Sequence, residues 1–137
     1  MHILAVDPGE KRLGIAISDS TGTIANPLTI IKHVSRPINA ATIAQLAGDH
    51  SVKLIIVGAT YDDDGELTPQ GRRGARLAEA IMTQTDIGVA LWDESNSTQA
   101  VKAARIAMGS PRSKRKGHLD DLAATYILQT YLDFHGK

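Results

Sequence analysis

Two turn signals in quick succession constrain this chain most. Met1 to Val6 is an apolar run rich in β-forming residues, and it closes on Asp7-Pro8-Gly9, a combination that marks a turn. Leu13 to Ser18 resumes the apolar pattern around the small residues Gly14 and Ala16. Asp19 to Gly22 reads as a second turn, and Thr23 to Ile31 as a third strand. Strands joined this tightly can only pair antiparallel, because a parallel pair needs a long crossover. The opening is therefore expected to be a three-stranded meander.

The periodicity then changes. Ile38, Ile43, Leu46 and Ala47 recur at helical spacing, which predicts a helix over Pro37 to Asp49. Val52 to Val57 is apolar except for Lys53, as expected of a strand buried on both faces. Pro69 suits the start of a helix that Leu77, Ala78, Ile81 and Met82 continue. Ile87 to Trp92 reads as a strand, Thr98 to Met108 as a helix stopped by Gly109 and Pro111, and Leu119 to Phe134 as a closing helix. A hairpin meander followed by strand–helix alternation predicts an α/β fold. Its mixed sheet has five strands, three antiparallel and then two parallel, with helices on both faces.

The chain has 137 residues, which suits one domain over 1–137. Cysteine is absent, which excludes disulfides and thiolate metal sites. With no apolar run long enough to span a bilayer and no signal-peptide pattern, a cytoplasmic protein without membrane contact is expected. The formal net charge is zero, but it is unevenly spread. Lys102, Arg105, Arg112, Lys114, Arg115 and Lys116 follow one another with no acid between them, whereas Asp62, Asp63, Asp64 and Glu66 cluster without a base. Such polarity can steer a polyanion to one face, although charge runs also serve simply as solvated surface.

Three acids share a position. Asp7 ends the first strand, Glu94 follows the last, and Asp120 opens the closing helix. Strand ends in an open sheet converge on one edge, where ligands bind. Carboxylates gathered there repel one another, and a divalent cation relieves that cost. Each acid also fits a structural role: Asp7 as a turn residue, Glu94 as a loop acid, Asp120 or its neighbour Asp121 as a helix cap.

The run Ile3 to Asp19, ILAVDPGEKRLGIAISD, resembles the opening motif of the YqgF, or RuvX-like, family, with Asp7, Gly9, Arg12, Gly14, Ala16, Ser18 and Asp19 all fitting its pattern. Leu54 to Gly58 with Asp64-Gly65 and Pro69-Gln70, then WDESNSTQA from Trp92, then His118 to Leu132, are similar to later family segments in the same order. The resemblance implies an RNase H-like fold and a metal-dependent nuclease. Its carboxylate site would be Asp7, Glu94 and Asp120, catalytic and metal-holding, with Mg²⁺ or Mn²⁺ as cofactor; the resemblance selects Asp120 over Asp121. It implies a nucleic-acid substrate, either the 5′ end of precursor 16S ribosomal RNA or a four-way DNA junction, and a monomer or homodimer. Two other readings stand beside it: a non-catalytic nucleic-acid-binding module, and an ATPase of the sugar-kinase and actin-like type, whose similar Asp-x-Gly turns meet ATP phosphates but which needs two such domains where 137 residues supply one. The chain departs from the family at Ser95, where Arg is usual, and at Ala59-Thr60-Tyr61. Arg can grip a phosphate through two bonds where Ser cannot.

Substrate contacts are expected from the backbone at Gly9 and from Lys11 and Arg12 in the first turn. Arg72 and Arg76, one helical turn apart, and Lys114, Arg115 and Lys116 before the closing helix are further candidates.

Overall fold

The computed structural model describes residues 1–94 and 119–135. Five strands form one sheet: β1 His2–Pro8, β2 Arg12–Ser18, β3 Ala25–Lys32, β4 Val52–Ala59 and β5 Gly88–Asp93. Three helices accompany them: α1 Arg36–Asp49, α2 Pro69–Met82 and α3 Leu119–His135. The strand order is β3-β2-β1-β4-β5. The β1–β2 and β2–β3 pairs are antiparallel, and β1–β4 and β4–β5 are parallel. This is the mixed sheet that the meander and the later alternation predict. The helix expected over Thr98 to Met108 lies outside the described residues.

The centre of the sheet follows from hydrophobicity. Leu4, Ala5 and Val6 on β1 and Ile55, Ile56 and Val57 on β4 are completely buried, as strands covered on both faces must be. Alternation divides their side chains between two cores. Leu4, Val6, Leu13, Ile15, Ile55 and Val57 face α1 and α2, meeting Ile43, Leu77 and Ile81. Ile3, Ala5, Ala16 and Ile56 face α3, meeting Ala124, Ile127 and Leu128.

The starts of α1 and α2 are built by short local rules. Ser35 Oγ accepts from Ile38 N at 3.3 Å, and Thr68 Oγ1 accepts from Gly71 N at 3.0 Å. Each leaves proline in the first turn, where the missing N–H has no cost. Gln129 then ties α3 to β3: its Oε1 accepts from Ala25 N at 2.9 Å and its Nε2 donates to Thr23 O at 3.0 Å.

Two residues of the opening motif act in the fold. Ser18 is buried, and its Oγ accepts from Ile3 N at 2.8 Å where the β1–β4 register slips. Replacing it with Ala strands a buried N–H, so Ser18→Ala should lower unfolding free energy by about 1–3 kcal/mol in a denaturant titration. Asp19 clamps the second turn: its Oδ1 accepts from Thr23 N at 2.9 Å and Ile24 N at 3.2 Å, and its Oδ2 from Thr21 Oγ1 at 2.9 Å. The backbone bonds from Thr23 and Ile24 hold its carboxyl below the ordinary range.

Candidate carboxylate site

The site stands at the edge of the sheet where β1, β4 and β5 end. Asp7 is half-buried on β1, level with Gly14 of β2. It alternates with Ile3 and Ala5, which places it on the α3 face. Glu94 follows β5 and continues its ladder, donating its backbone N–H to Ala59 O at 2.8 Å. Trp92, two residues earlier, packs on the α3 side, so Glu94 shares that face with Asp7.

One strand, β4, separates the two acids. At about 4.8 Å per strand, their backbones should stand roughly 10 Å apart. Gly58 on β4 closes that gap. A Cβ built on Gly58 would fall 2.1 Å from Glu94 Oε2, 3.2 Å from Glu94 Cδ and 3.0 Å from Ile127 Cδ1. The Glu94 carboxylate therefore fills the space where a side chain at Gly58 would stand. It leans over β4 towards β1, and only glycine permits this.

Helix α3 brings its first turn to the same edge. Its Ile127 touches Gly58, whereas Tyr131 and His135 lie near Met1 at the opposite edge. Position 120, in the first turn, is one turn before the buried Ala124. The backbone at Asp120 thus stands at the same edge of the sheet. Among the described residues, no three acidic or histidine side chains come together as a metal-binding set.

Glu94 Oε2 is inaccessible to solvent. Burial raises the Glu94 carboxyl above the ordinary range, and the charge of Asp93 acts in the same direction. The unfolded chain therefore releases this proton first as pH rises through about 4.5, and the folded chain releases it later. Over that window the native state holds more protons, so the group costs stability progressively as pH rises. Glu94→Gln should raise the melting temperature of the metal-free protein by roughly 2–6 °C at neutral pH, with the gain fading near pH 4. A melting curve unchanged at both pH values would refute the buried charge. A carboxylate held in a partly dry site with a further acid beside it suits a hard divalent cation, which would neutralise it.

The basic candidates separate by face. Arg12 alternates with Gly14 and Ala16, so it lies on the carboxylate side; Lys11 is exposed in the turn beside it. Gly9 is required locally, since a Cβ there would lie 2.3 Å from Arg12 O. Arg72 and Arg76 are exposed on α2, which covers the other face, and Arg72 Nη1 donates to Leu67 O at 3.0 Å. Lys114, Arg115, Lys116 and Ser95 lie outside the described residues. Trp92 serves the core: its Nε1 donates to Thr130 Oγ1 at 3.0 Å, and Tyr131 packs edge-on against it with ring centres 5.2 Å apart. Nothing in the sequence around Gly58 signals this glycine's role, because it depends on a side chain supplied by another strand.

The sequence pattern of the family described as "RuvX: Holliday junction resolvase" matches residues 1–134. A protein of Thermoanaerobacter pseudethanolicus named "Putative pre-16S rRNA nuclease" is 41% identical over 136 residues, covering 97% of this chain and 96% of that one. Among solved structures, T. thermophilus RuvC in complex with Holliday junction substrate superposes with a TM-score of 0.60 at 15% identity, covering 99% of this chain and 96% of that one. The fowlpox virus resolvase bound to Holliday junction DNA gives 0.57 at 16% identity over the whole of both chains. At these identities the structures share the fold.

Proposed function

Because the chain belongs to the RuvX family of Holliday junction resolvases, we propose that it is a metal-dependent nuclease that trims the 5′ end of precursor 16S ribosomal RNA in the cytoplasm. The observation that carries this reading is the meeting of Asp7 and Glu94 on one face of one sheet edge, with the first turn of α3 beside them. The near full-length likeness to a protein named for pre-16S rRNA favours RNA over a DNA junction.

Asp7, Glu94 and Asp120 are the proposed metal-holding and catalytic residues. Mg²⁺ or Mn²⁺ held there would supply charge that polarises the phosphodiester and lowers the pKa of an attacking water. The chain's own part is positional. Gly58 lets the Glu94 carboxylate reach over β4, and the ladder bond from Glu94 N to Ala59 O fixes its backbone. Arg12, on the same face, supplies positive charge for a backbone phosphate. Hydrolysis consumes one water, breaks one P–O bond, and leaves a phosphomonoester and a free hydroxyl.

The test is cleavage of an end-labelled 16S precursor fragment and of a synthetic four-way DNA junction, each with Mg²⁺, Mn²⁺ or EDTA. The RNA should be cut only with metal, and the junction should stay intact. Junction cleavage with intact RNA would favour the resolvase reading. If both stay intact while the folded protein binds them, the chain is a binding module.

A further inference from the structure

On the opposite side of the same edge lies a cavity of about 390 Å³. It is bounded by Pro8 and Gly9 at the end of β1, His33 after β3, Arg36 and Pro37 at the start of α1, and Arg73 on α2. Its volume falls in the range of small-ligand pockets, roughly 300–1,000 Å³.

Two kinds of surface meet in it. One is cationic: Arg36 and Arg73 approach from different helices. Arg73 Nη2 already holds a carboxylate, that of Glu10, at 3.4 Å. That pair is exposed and therefore weak, so a more highly charged oxyanion can displace Glu10. The other surface is apolar: Leu13 and Leu77 belong to the core beneath, and Pro8 and Pro37 form rigid walls. The histidine between them is held in place. Asn39 is buried, its Oδ1 accepts from Val34 N at 3.1 Å, and its Nδ2 lies 2.9 Å from His33 Nδ1. An amide nitrogen only donates, so His33 Nδ1 accepts and the ring's own N–H is left at Nε2. Two guanidinium groups, an oriented imidazole and an apolar wall suit a phosphate joined to a sugar and base.

We propose that this cavity is a nucleotide subsite for the substrate strand, with a phosphate against Arg36 and Arg73 and the adjoining sugar or base against Pro8, Pro37 and Leu77. Pro8 and Gly9 directly follow Asp7, so a strand crossing the carboxylate edge continues over this turn into the cavity. The strand assignment rests on the nuclease reading; the nucleotide site does not.

The first arm is calorimetric titration of AMP, UMP and inorganic phosphate in EDTA into wild type, Arg36→Glu, Arg73→Ala and Asp7→Asn. Nucleotide should bind wild type and Asp7→Asn alike and weaken about tenfold or more in each arginine variant, with melting temperatures unchanged. The second arm is steady-state cleavage of precursor RNA, in which the arginine variants should raise KM and leave kcat within about twofold. Equal nucleotide affinity in all four proteins, or none in wild type, would overturn the site. Arginine-dependent nucleotide binding with an unchanged KM would overturn the strand assignment and make a free nucleotide the ligand. Absence of cleavage by wild type would defeat the nuclease reading, and the calorimetric result would still decide the site.

Discussion

Asp7→Asn should reduce metal-dependent cleavage by about 10³-fold or more while leaving the fold intact. Asp7 stands at the end of the central strand, half-buried, on the same face as Glu94. Asn keeps its size but not its charge. The substitution removes one of the negative charges that would balance a divalent cation, and it loses an oxygen donor of the kind magnesium prefers. Stability should change little, because Asn matches the size of Asp and keeps a hydrogen-bonding side chain at this half-buried position. Single-turnover rates at saturating RNA, set beside melting curves, measure both. Wild-type rates in Asp7→Asn would remove Asp7 from the site.

Gly58→Ala should be nearly as damaging to activity, about 10²-fold, although Gly58 bears no reactive group. The added methyl carbon would stand 2.1 Å from Glu94 Oε2 and 3.0 Å from Ile127 Cδ1, so the carboxylate must move. A displacement of about 1 Å from productive geometry can cost that much in rate. The crowding itself should cost about 1–3 kcal/mol of stability. The cause can be isolated with Glu94→Ala. If the methyl collides mainly with the carboxylate, the double variant recovers most of the stability lost by Gly58→Ala and none of the activity. An additive cycle would mean that Ile127, not Glu94, sets the need for glycine.

Much of this was legible in the sequence because the signals are local. Turn chemistry at Asp7-Pro8-Gly9 and Asp19 to Gly22 delimited the meander, and continuous apolar runs identified the two central strands. Even so, β4 continues through Gly58 to Ala59, pairing with Trp92 and Asp93. Glycine reads as a strand ending, yet here it is a ladder position kept bare for a neighbour's side chain. The acids could be ranked by where strands end. What could not be read was their supporting cast, because it arises between elements far apart in the chain. Gly58 meets Glu94 across a strand pair, and Arg36 and Arg73 come to line one cavity only once α1 and α2 lie side by side on the sheet. Helical spacing drew attention to Arg72 and Arg76, both exposed, whereas the arginine between them faces the cavity. Asp19 shows the converse. It fits the opening motif as well as Asp7 does, yet its carboxylate is taken up by backbone N–H groups of its own turn.

Asp7, Glu94 and Asp120 are proposed to hold one or two divalent cations between them. Mn²⁺ binding, followed by its paramagnetic resonance signal in wild type and in Asp7→Asn, Glu94→Gln and Asp120→Asn, tests this most directly. A saturable site in wild type that weakens about tenfold or more in each single variant is the predicted result. Wild-type Mn²⁺ affinity in all three variants would contradict it.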